Sequence, residues 1–437
     1  MGTEIQLTVC KVSLDYSKNH MGNDYGFLFQ DGDVTHRSSD AIDYEYYKEH
    51  PEEDIAEHEA AFVRPLAKVI PRLSLLGSSL DVARAEYQAI CEDAMAMMAD
   101  DDPSEATSLL TFDEFCSLAC LFPLTGLASE YVDFDTAERA TVAQGRFAAH
   151  AEQFKRIPWT ESSDSYWSES SYVAAKLCIL SAPSMLQIFS LSPANANAEV
   201  IWQFGPIVRA GWATLDNFRP GSRRGQTILV ATEGASDARI LRRALDLLRP
   251  DVADFFRFID ADERHHFWGT GNLVKFAEGL LRIDVQNQVL FLLDNDIEGV
   301  EAYKKLQQLK LPGNMRAMLL PDLEEFKKFP ARGPQGTSNC DINKCAAAIE
   351  CYLDLNLKKY PPAQVVWSNY KKEFDAWHGA LEHKESYMRH FMDQDRETLR
   401  KGEYNTSKLE KLLDALVTEA SRLSDFIRLA SVDASAI

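Results

Sequence analysis

Two short acidic segments of this 437-residue chain carry the residue types that metal-assisted chemistry needs. Both combine carboxylates with a glycine, and the residues are Glu233, Gly234, Asp237, Asp294, Asp296 and Gly299. Carboxylates held together repel one another and raise each other's pKa values unless a cation neutralises them. Clusters of carboxylate oxygens suit Mg²⁺ or Mn²⁺, which keep several waters and accept phosphate oxygens as further ligands. The two segments therefore predict a metal site that acts on phosphate.

Each acidic segment follows a short apolar run and precedes a helical pattern. The runs are 228–231 and 289–293, and both are typical of strands buried on two faces. Further strands are predicted at 255–259 and 315–320, with helical spacing between all four. Strands that alternate with helices through short loops predict an α/β fold, with a parallel sheet, right-handed crossovers and helices on both faces.

The carboxyl ends of parallel strands are where functional groups gather. If the strands at 228–231 and 289–293 are neighbours, Glu233 and the Asp294/Asp296 pair converge within a few ångströms. Gly234 and Gly299 would let the backbone turn tightly beside them. Taken singly, an aspartate ahead of a helix is equally explained as an N-cap. Glu233 has no such explanation, since Glu is neither a good cap nor a good turn residue.

The two segments together resemble the motifs of the TOPRIM family. Residues 230–237 are similar to its motif of a hydrophobic strand, Glu-Gly, two residues and Asp, and residues 294–299 to its DxD motif. The resemblance covers 226–355 and implies a TOPRIM catalytic domain. It also implies Mg²⁺- or Mn²⁺-dependent phosphodiester chemistry, with Glu233 as general acid/base and with Glu233, Asp294 and Asp296 at two metal ions.

A later segment, 340–350, adds two candidates. Its spacing predicts a helix capped by Asp341 that aims Glu350 at the metal cluster, and the Ile-Glu-x-Tyr-Leu sequence there resembles a signature of TOPRIM defence nucleases. A solvated surface glutamate is the alternative. Lys344 is a candidate contact for a scissile phosphate, or simply an exposed lysine.

The first half of the chain reads differently. Apolar alternation at 5–9 and an apolar run at 27–29, separated by the polar loop 18–24, predict an opening β-hairpin. Residues 57–212 follow helical spacing, so we predict a mainly α-helical domain over 1–218, ended by a stretch rich in Pro, Gly and Arg. A helical tail is predicted over 356–437.

The opening residues resemble the N-terminal domain of bacterial HEPN- and TOPRIM-associated proteins. HEPN ribonucleases carry an Arg with a His a few residues later. Here the nearest match, Arg146 with His150, is one residue too short. No HEPN active site is therefore expected, and the first half is assigned to assembly, substrate capture or sensing.

Composition limits the partners. Lys+Arg 46 against Asp+Glu 67 gives a net charge of −21, so nucleic acid must bind through local basic patches or metal ions. The eight cysteines form no CxxC pair, which indicates reduced thiols and no zinc site. The chain shows neither a signal peptide nor an apolar run of membrane length, so we expect a cytoplasmic protein without a membrane partner.

The sequence favours a metal-dependent endonuclease that cuts DNA or structured RNA such as tRNA, in bacterial anti-phage defence. Basic residues near the motifs are candidate guides for a phosphate backbone: Arg223, Arg224, Arg239, Arg242, Arg243, Lys304 and Lys305. The alternative is a non-catalytic or gated TOPRIM sensor or scaffold. The chain has no P-loop, so any ATPase or sensor would be a separate partner, and a homo-oligomer stays open.

Overall fold

The computed structural model describes residues 2–39, 42–50, 55–101, 108–132, 141–158, 166–259, 269–357 and 360–435. The chain divides into two compact units, an N-terminal unit of Met1–Arg223 with Arg428–Ile437 and a C-terminal unit of Arg224–Ile427. The division falls inside the stretch rich in Pro, Gly and Arg that follows Phe218.

The described part of the N-terminal unit contains a five-stranded antiparallel sheet with the order β2-β1-β5-β4-β3. Its strands are β1 Glu4–Val9, β2 Val12–Lys18, β3 Val34–His36, β4 Ala60–Pro65 and β5 Glu199–Gln203. The prediction of a hairpin plus helices included β1 and β2 but did not include β3, β4 or β5. Strand β5 joins β1 and β4 from far along the chain, and such a pairing leaves no local pattern in the sequence.

The predicted opening hairpin exists, but its turn was misplaced. Strands β1 and β2 pair directly, and the chain reverses at Cys10, whose φ of 54° is left-handed. The apolar run at 27–29 is not a strand, because Gly26–Leu28 forms a 3₁₀ turn. Apolar side chains there fill the core of the unit from a turn rather than from a sheet.

Helices complete the N-terminal unit: α1 Tyr44–Glu49, α2 Ile55–His58, α3 Leu66–Leu75, α4 Leu80–Asp101, α5 Phe112–Cys120, α6 Ala151–Lys155, α7 Glu169–Leu177, α8 Ala182–Ser190 and α9 Gly205–Arg209. Helix α5 begins at a reciprocal capping box between Thr111 and Glu114. Among the described helices none alone is long and apolar enough to cross a membrane, although α7 and α8, bent by 113°, pass that test as a pair.

The C-terminal unit is built on a parallel sheet with the order β10-β8-β6-β7. Its strands are β6 Ile228–Thr232, β7 Phe256–Phe258, β8 Gln288–Leu293 and β10 Met315–Leu319. The helices between them are α10 Ala235–Leu248, α11 Thr270–Arg282 and α12 Ile297–Gln308. The predicted alternation of strands and helices and the parallel pairing are confirmed. Residues 289–293 of β8 are all buried, because this strand lies inside the sheet.

The rest of the C-terminal unit is less helical than predicted. It contains β9 Asn295–Asp296, β11 Phe329–Gly333, β12 Gly336–Cys340, β13 Ala346–Ala347, β14 Val365–Lys371, β15 Ala376–Leu381, α13 Lys384–Met392, α14 Arg396–Arg400 and the part of α15 Ser407–Ser435 up to Ile427. A second sheet has the order β12-β11-β14-β15, so the tail from 356 opens with a hairpin instead of a helix. The aromatic and β-branched residues of β14 favour strand over helix.

The predicted helix over 341–350 is also wrong. Lys344 has a left-handed φ of 60°, β13 pairs with β9, and only Ile349–Tyr352 forms a 3₁₀ turn. Pairing with β9 supplies hydrogen bonds that outweigh the helical preference of the three alanines at 346–348. This antiparallel pair brings the 346–352 segment beside the DxD segment.

Candidate active site

Strands β6 and β8 are neighbours in register, with Thr232 opposite Leu292. Their next residues, Glu233 and Asp294, therefore leave the sheet side by side at its carboxyl edge. The backbone N–H of Asp294 donates a hydrogen bond to Oε1 of Glu233 at 3.0 Å. The structure thus brings together the two acidic segments that the sequence singled out.

Backbone amides hold one oxygen of each acid. Oδ1 of Asp294 accepts from the N–H of Ile349 at 3.1 Å, and Oδ1 of Asp296 accepts from the N–H of Gly299 at 2.7 Å. Asp296 is therefore the N-cap of α12. Among the described residues, none donates a hydrogen bond to Oε2 of Glu233 or to Oδ2 of Asp294.

Asp237 orders the turn between β6 and α10. Its Oδ2 accepts from the N–H of Gly234 at 2.9 Å, and its Oδ1 accepts from the hydroxyl of Ser236 at 3.1 Å. Gly234 is the N-cap of α10. Asp237 is buried, and burial together with the charge of Glu350 raises its pKa to about 7.

Glu350 lies at the same cluster even though the predicted helix is absent. It is only 5% exposed, which rules out the alternative of a solvated surface side chain. Asp294 has its pKa raised well above the ordinary range, first by burial and then by the charges of Asp237, Glu233, Asp296 and Glu350. These five side chains form what we call the acidic cluster.

Glu233, like Asp237, has its pKa shifted towards neutral pH. Its pKa is raised from 4.5 to about 8, mainly by burial. The hydrogen bond from Asp294 opposes this shift, and the charges of Asp296 and Asp237 add to it. A carboxyl group with a pKa near the working pH can both accept and donate a proton.

The glycine at 299 is required by space. A Cβ there would overlap the carbonyl oxygen of Asp294 and lie 3.1 Å from Oε1 of Glu233. Glycine therefore lets the start of α12 approach the two acids closely. Asn295, between the two aspartates, is fully buried and was not predicted as a site residue. Its side chain contacts Asp322 and the backbone N–H of Lys344, which fixes the loop.

Lys344 lies in the neighbouring loop, and its side chain pairs with Asp322. Its Nζ is 3.1 Å from Oδ2 of Asp322, and the side chain is 59% exposed. Two of the predicted basic guides also have partners within the protein. Arg243 donates to the carbonyl of Gln394, and Lys305 pairs with Glu301.

Two basic side chains that the sequence did not reveal lie on the β14–β15 hairpin, one beside Asp296 of the cluster and the other beside Glu298. Nε2 of His378 lies 3.5 Å from Oδ2 of Asp296, and Nζ of Lys371 lies 3.9 Å from Oε1 of Glu298. Hydrogen bonding to Asp296 raises the pKa of His378. The aromatic alternation of the hairpin was the signal that could have found them.

The donor set suits a hard divalent cation, since it consists of carboxylate oxygens with surplus negative charge. Within the described residues, no three His, Cys, Asp or Glu side chains already surround a common point as metal ligands. The acids turn one oxygen each towards backbone amides instead. The free oxygens of Glu233 and Asp294 are the ones that an ion would engage.

In the N-terminal unit, the pair that came nearest to an HEPN motif is engaged elsewhere. Arg146 pairs with Glu169, and Nδ1 of His150 lies 2.7 Å from Oε1 of Gln153. Each side chain is held by a different neighbour.

Comparison with known proteins identifies this first half of the chain. Residues 1–226, just over half of the 437 residues, match the family HEPN/Toprim N-terminal domain 1, and the match ends where β6 begins. No curated protein and no solved structure matches the chain. The chain therefore belongs to the HEPN/Toprim N-terminal domain 1 family.

Proposed function

We propose that this protein is a metal-dependent endonuclease whose active site is the acidic cluster of the C-terminal unit. The observation that carries the proposal is the meeting of Glu233, Asp237, Asp294, Asp296 and Glu350 at the carboxyl edge of β6 and β8. The order of the two motifs on adjacent parallel strands supports a TOPRIM arrangement. The family of the N-terminal half, which carries Toprim in its name, supports the same arrangement.

Energetics favours a functional explanation of the cluster. Partly buried carboxylates without matched cations destabilise a fold, because burial and mutual repulsion both disfavour their charged forms. The described cations nearby reach only Asp296 and Glu298 directly. Strain of this kind is typical of sites where a ligand supplies the missing charge.

The side chains then have distinct roles. Asp294 and Asp296 would hold Mg²⁺ or Mn²⁺ together with Glu233, and the ions when bound would activate water and neutralise the leaving oxygen. Glu233, with a pKa of about 8, is suited to move a proton at neutral pH. Asp237 orders the turn that carries Glu233, and Glu350 adds charge to the cluster from its buried side.

The substrate is nucleic acid, either DNA or structured RNA, in this proposal. The chain carries a net charge of −21, so the phosphate backbone has to be attracted locally, by metal ions and by cations beside the site. A role in bacterial anti-phage defence and a cytoplasmic location belong to the proposal as well, because both follow from the resemblance to TOPRIM defence nucleases.

The test is incubation of the full chain with plasmid, linear DNA and total bacterial tRNA, in Mn²⁺, Mg²⁺ or EDTA. We expect cleavage that requires the metal and is lost in Glu233→Ala. Glu301→Gln is the matched control, because Glu301 lies on α12 outside the cluster and pairs with Lys305. Cleavage by Glu233→Ala at the wild-type rate would contradict the assignment. If the wild type cleaves none of the substrates, the result would favour the sensor or scaffold function.

A further inference from the structure

One hairpin of the C-terminal unit, formed by β14 and β15, places two basic side chains beside acids of the 294–299 segment. His378 faces Asp296 and Lys371 faces Glu298, at the distances given above. We call Val365–Lys371 and Ala376–Leu381 the cationic segment.

The position of His378 is fixed by the hairpin. The register of β14 and β15 shifts between Trp367 and Asn369, which is a β-bulge opposite His378. Bulges re-aim side chains and are common next to active sites. Oδ1 of Asn369 lies 3.3 Å from Nδ1 of His378, so the other ring nitrogen, Nε2, is turned towards Asp296.

Tight packing fixes the position of the hairpin that carries His378. Val365 and Leu381 are buried at its base. A Cβ at Gly379, the neighbour of His378, would lie 2.7 Å from both Cε3 of Trp367 and the carbonyl oxygen of Val366. Only glycine therefore allows the two strands to approach at this point, and the approach holds His378 in place.

His378 and Lys371 lie near Asp296 and Glu298 but form no short hydrogen bonds with them. The separations of 3.5 and 3.9 Å exceed the roughly 2.7–2.9 Å of a charge-assisted hydrogen bond. A divalent ion on Asp296 would weaken the attraction of that carboxylate for His378, because it cancels the negative charge. His378 and Lys371 would then be free to contact another anion beside the metal.

We propose that the cationic segment is the phosphate-binding element of this active site, with His378 and Lys371 contacting backbone phosphates of the nucleic acid. This inference rests on the proposed nuclease function. It explains how a chain of net charge −21 attracts a polyanion to an acidic site. It also assigns roles to two residues that lie outside the two acidic motifs.

Cleavage kinetics test the proposal first. His378→Ala and Lys371→Ala should each lower kcat/KM by about tenfold to a hundredfold, the scale of one hydrogen bond to a charged group. Lys371→Arg should restore most of the loss, because the charge returns. The matched control is Lys401→Ala, since Lys401 directly follows α14 and pairs with Glu397. Mn²⁺ affinity should not fall in any of the four variants.

Binding measured in the Glu233→Gln background tests the element separately from cleavage. Fluorescence anisotropy with labelled single-stranded and duplex DNA and RNA oligonucleotides gives log K against log salt concentration. Lys371→Ala should reduce the slope by about 0.7 to 0.9, the value of one phosphate contact. Lys401→Ala should leave the slope unchanged.

The outcomes separate the two proposals. Wild-type cleavage, with unaltered kinetics in His378→Ala and Lys371→Ala and an unaltered salt slope in Lys371→Ala, would overturn the phosphate-binding element and leave the nuclease standing. Faster cleavage by the variants would also overturn it, because the segment would then restrain the site. Salt slopes that change as predicted without any wild-type cleavage would support the element and contradict the nuclease. No binding of any oligonucleotide would overturn the element.

Discussion

Glu233→Gln should stabilise the metal-free C-terminal unit while abolishing cleavage. The amide oxygen of Gln can still accept the hydrogen bond from the N–H of Asp294. What the substitution removes is the negative charge, which burial and the neighbouring carboxylates disfavour. Function and stability are therefore expected to move in opposite directions at this position.

The size of the effect follows from the pKa of Glu233, raised from 4.5 to about 8. One unit corresponds to about 1.36 kcal/mol, so the full shift is worth about 5 kcal/mol above pH 8. Water still reaches part of the side chain and screens the charge, so we expect about 2 kcal/mol. A raised carboxyl pKa costs nothing below pH 4.5, and the cost grows as pH rises through about 8.

Amide hydrogen exchange on peptides from β6 and β8 is the assay, because it reports the stability of this sheet within the full chain. Without metal, Glu233→Gln should be about 2 kcal/mol more protected than wild type at pH 8 and equal to it near pH 4.5. Mn²⁺ should stabilise wild type and close the gap. Glu301→Gln should show neither effect. Equal protection of Glu233→Gln and wild type at pH 8 would refute the reasoning.

Three further substitutions probe the rest of the cluster. At pH 6, Asp237→Ala should reduce the free energy of unfolding by about 1 kcal/mol more than Glu233→Ala does, because the cap on Gly234 is lost. Its melting temperature should therefore be the lower of the two, and equal melting temperatures would contradict this. Gly299→Ala should cost about 1–3 kcal/mol in urea unfolding and reduce cleavage, since its Cβ meets the Asp294 carbonyl; a neutral effect would contradict the close approach. Glu350→Gln should weaken Mn²⁺ binding by calorimetry, and unchanged binding would place Glu350 outside the site.

The parallel sheet could be predicted from the sequence because its strands are continuous apolar runs. Residues 228–231 and 289–293 are each followed at once by the acids that leave the sheet. Their adjacency was a condition of the prediction, and the pairing of β6 with β8 meets it. The local sequence was therefore sufficient to predict the half of the site that the two strands position.

The other half of the site depends on pairings between distant segments. Ala346 and Ala347 read as helical, yet they pair with β9 and bring Glu350 to the cluster through a turn. His378 reaches Asp296 from a hairpin within a region rich in Lys and Glu. Contacts of this kind arise from the tertiary fold and override local propensity.

Direct titration of the metal-free protein with Mn²⁺ at pH 8, followed by calorimetry, tests the central claim that the acidic cluster exists to hold a divalent cation. Asp294→Asn is the decisive variant, because Asn keeps the hydrogen bond from Ile349 and loses the charge. We predict that wild type binds one or two ions, that Asp294→Asn loses this binding, and that Glu301→Gln retains it. Equal binding by wild type and Asp294→Asn, or none by wild type, would contradict the account.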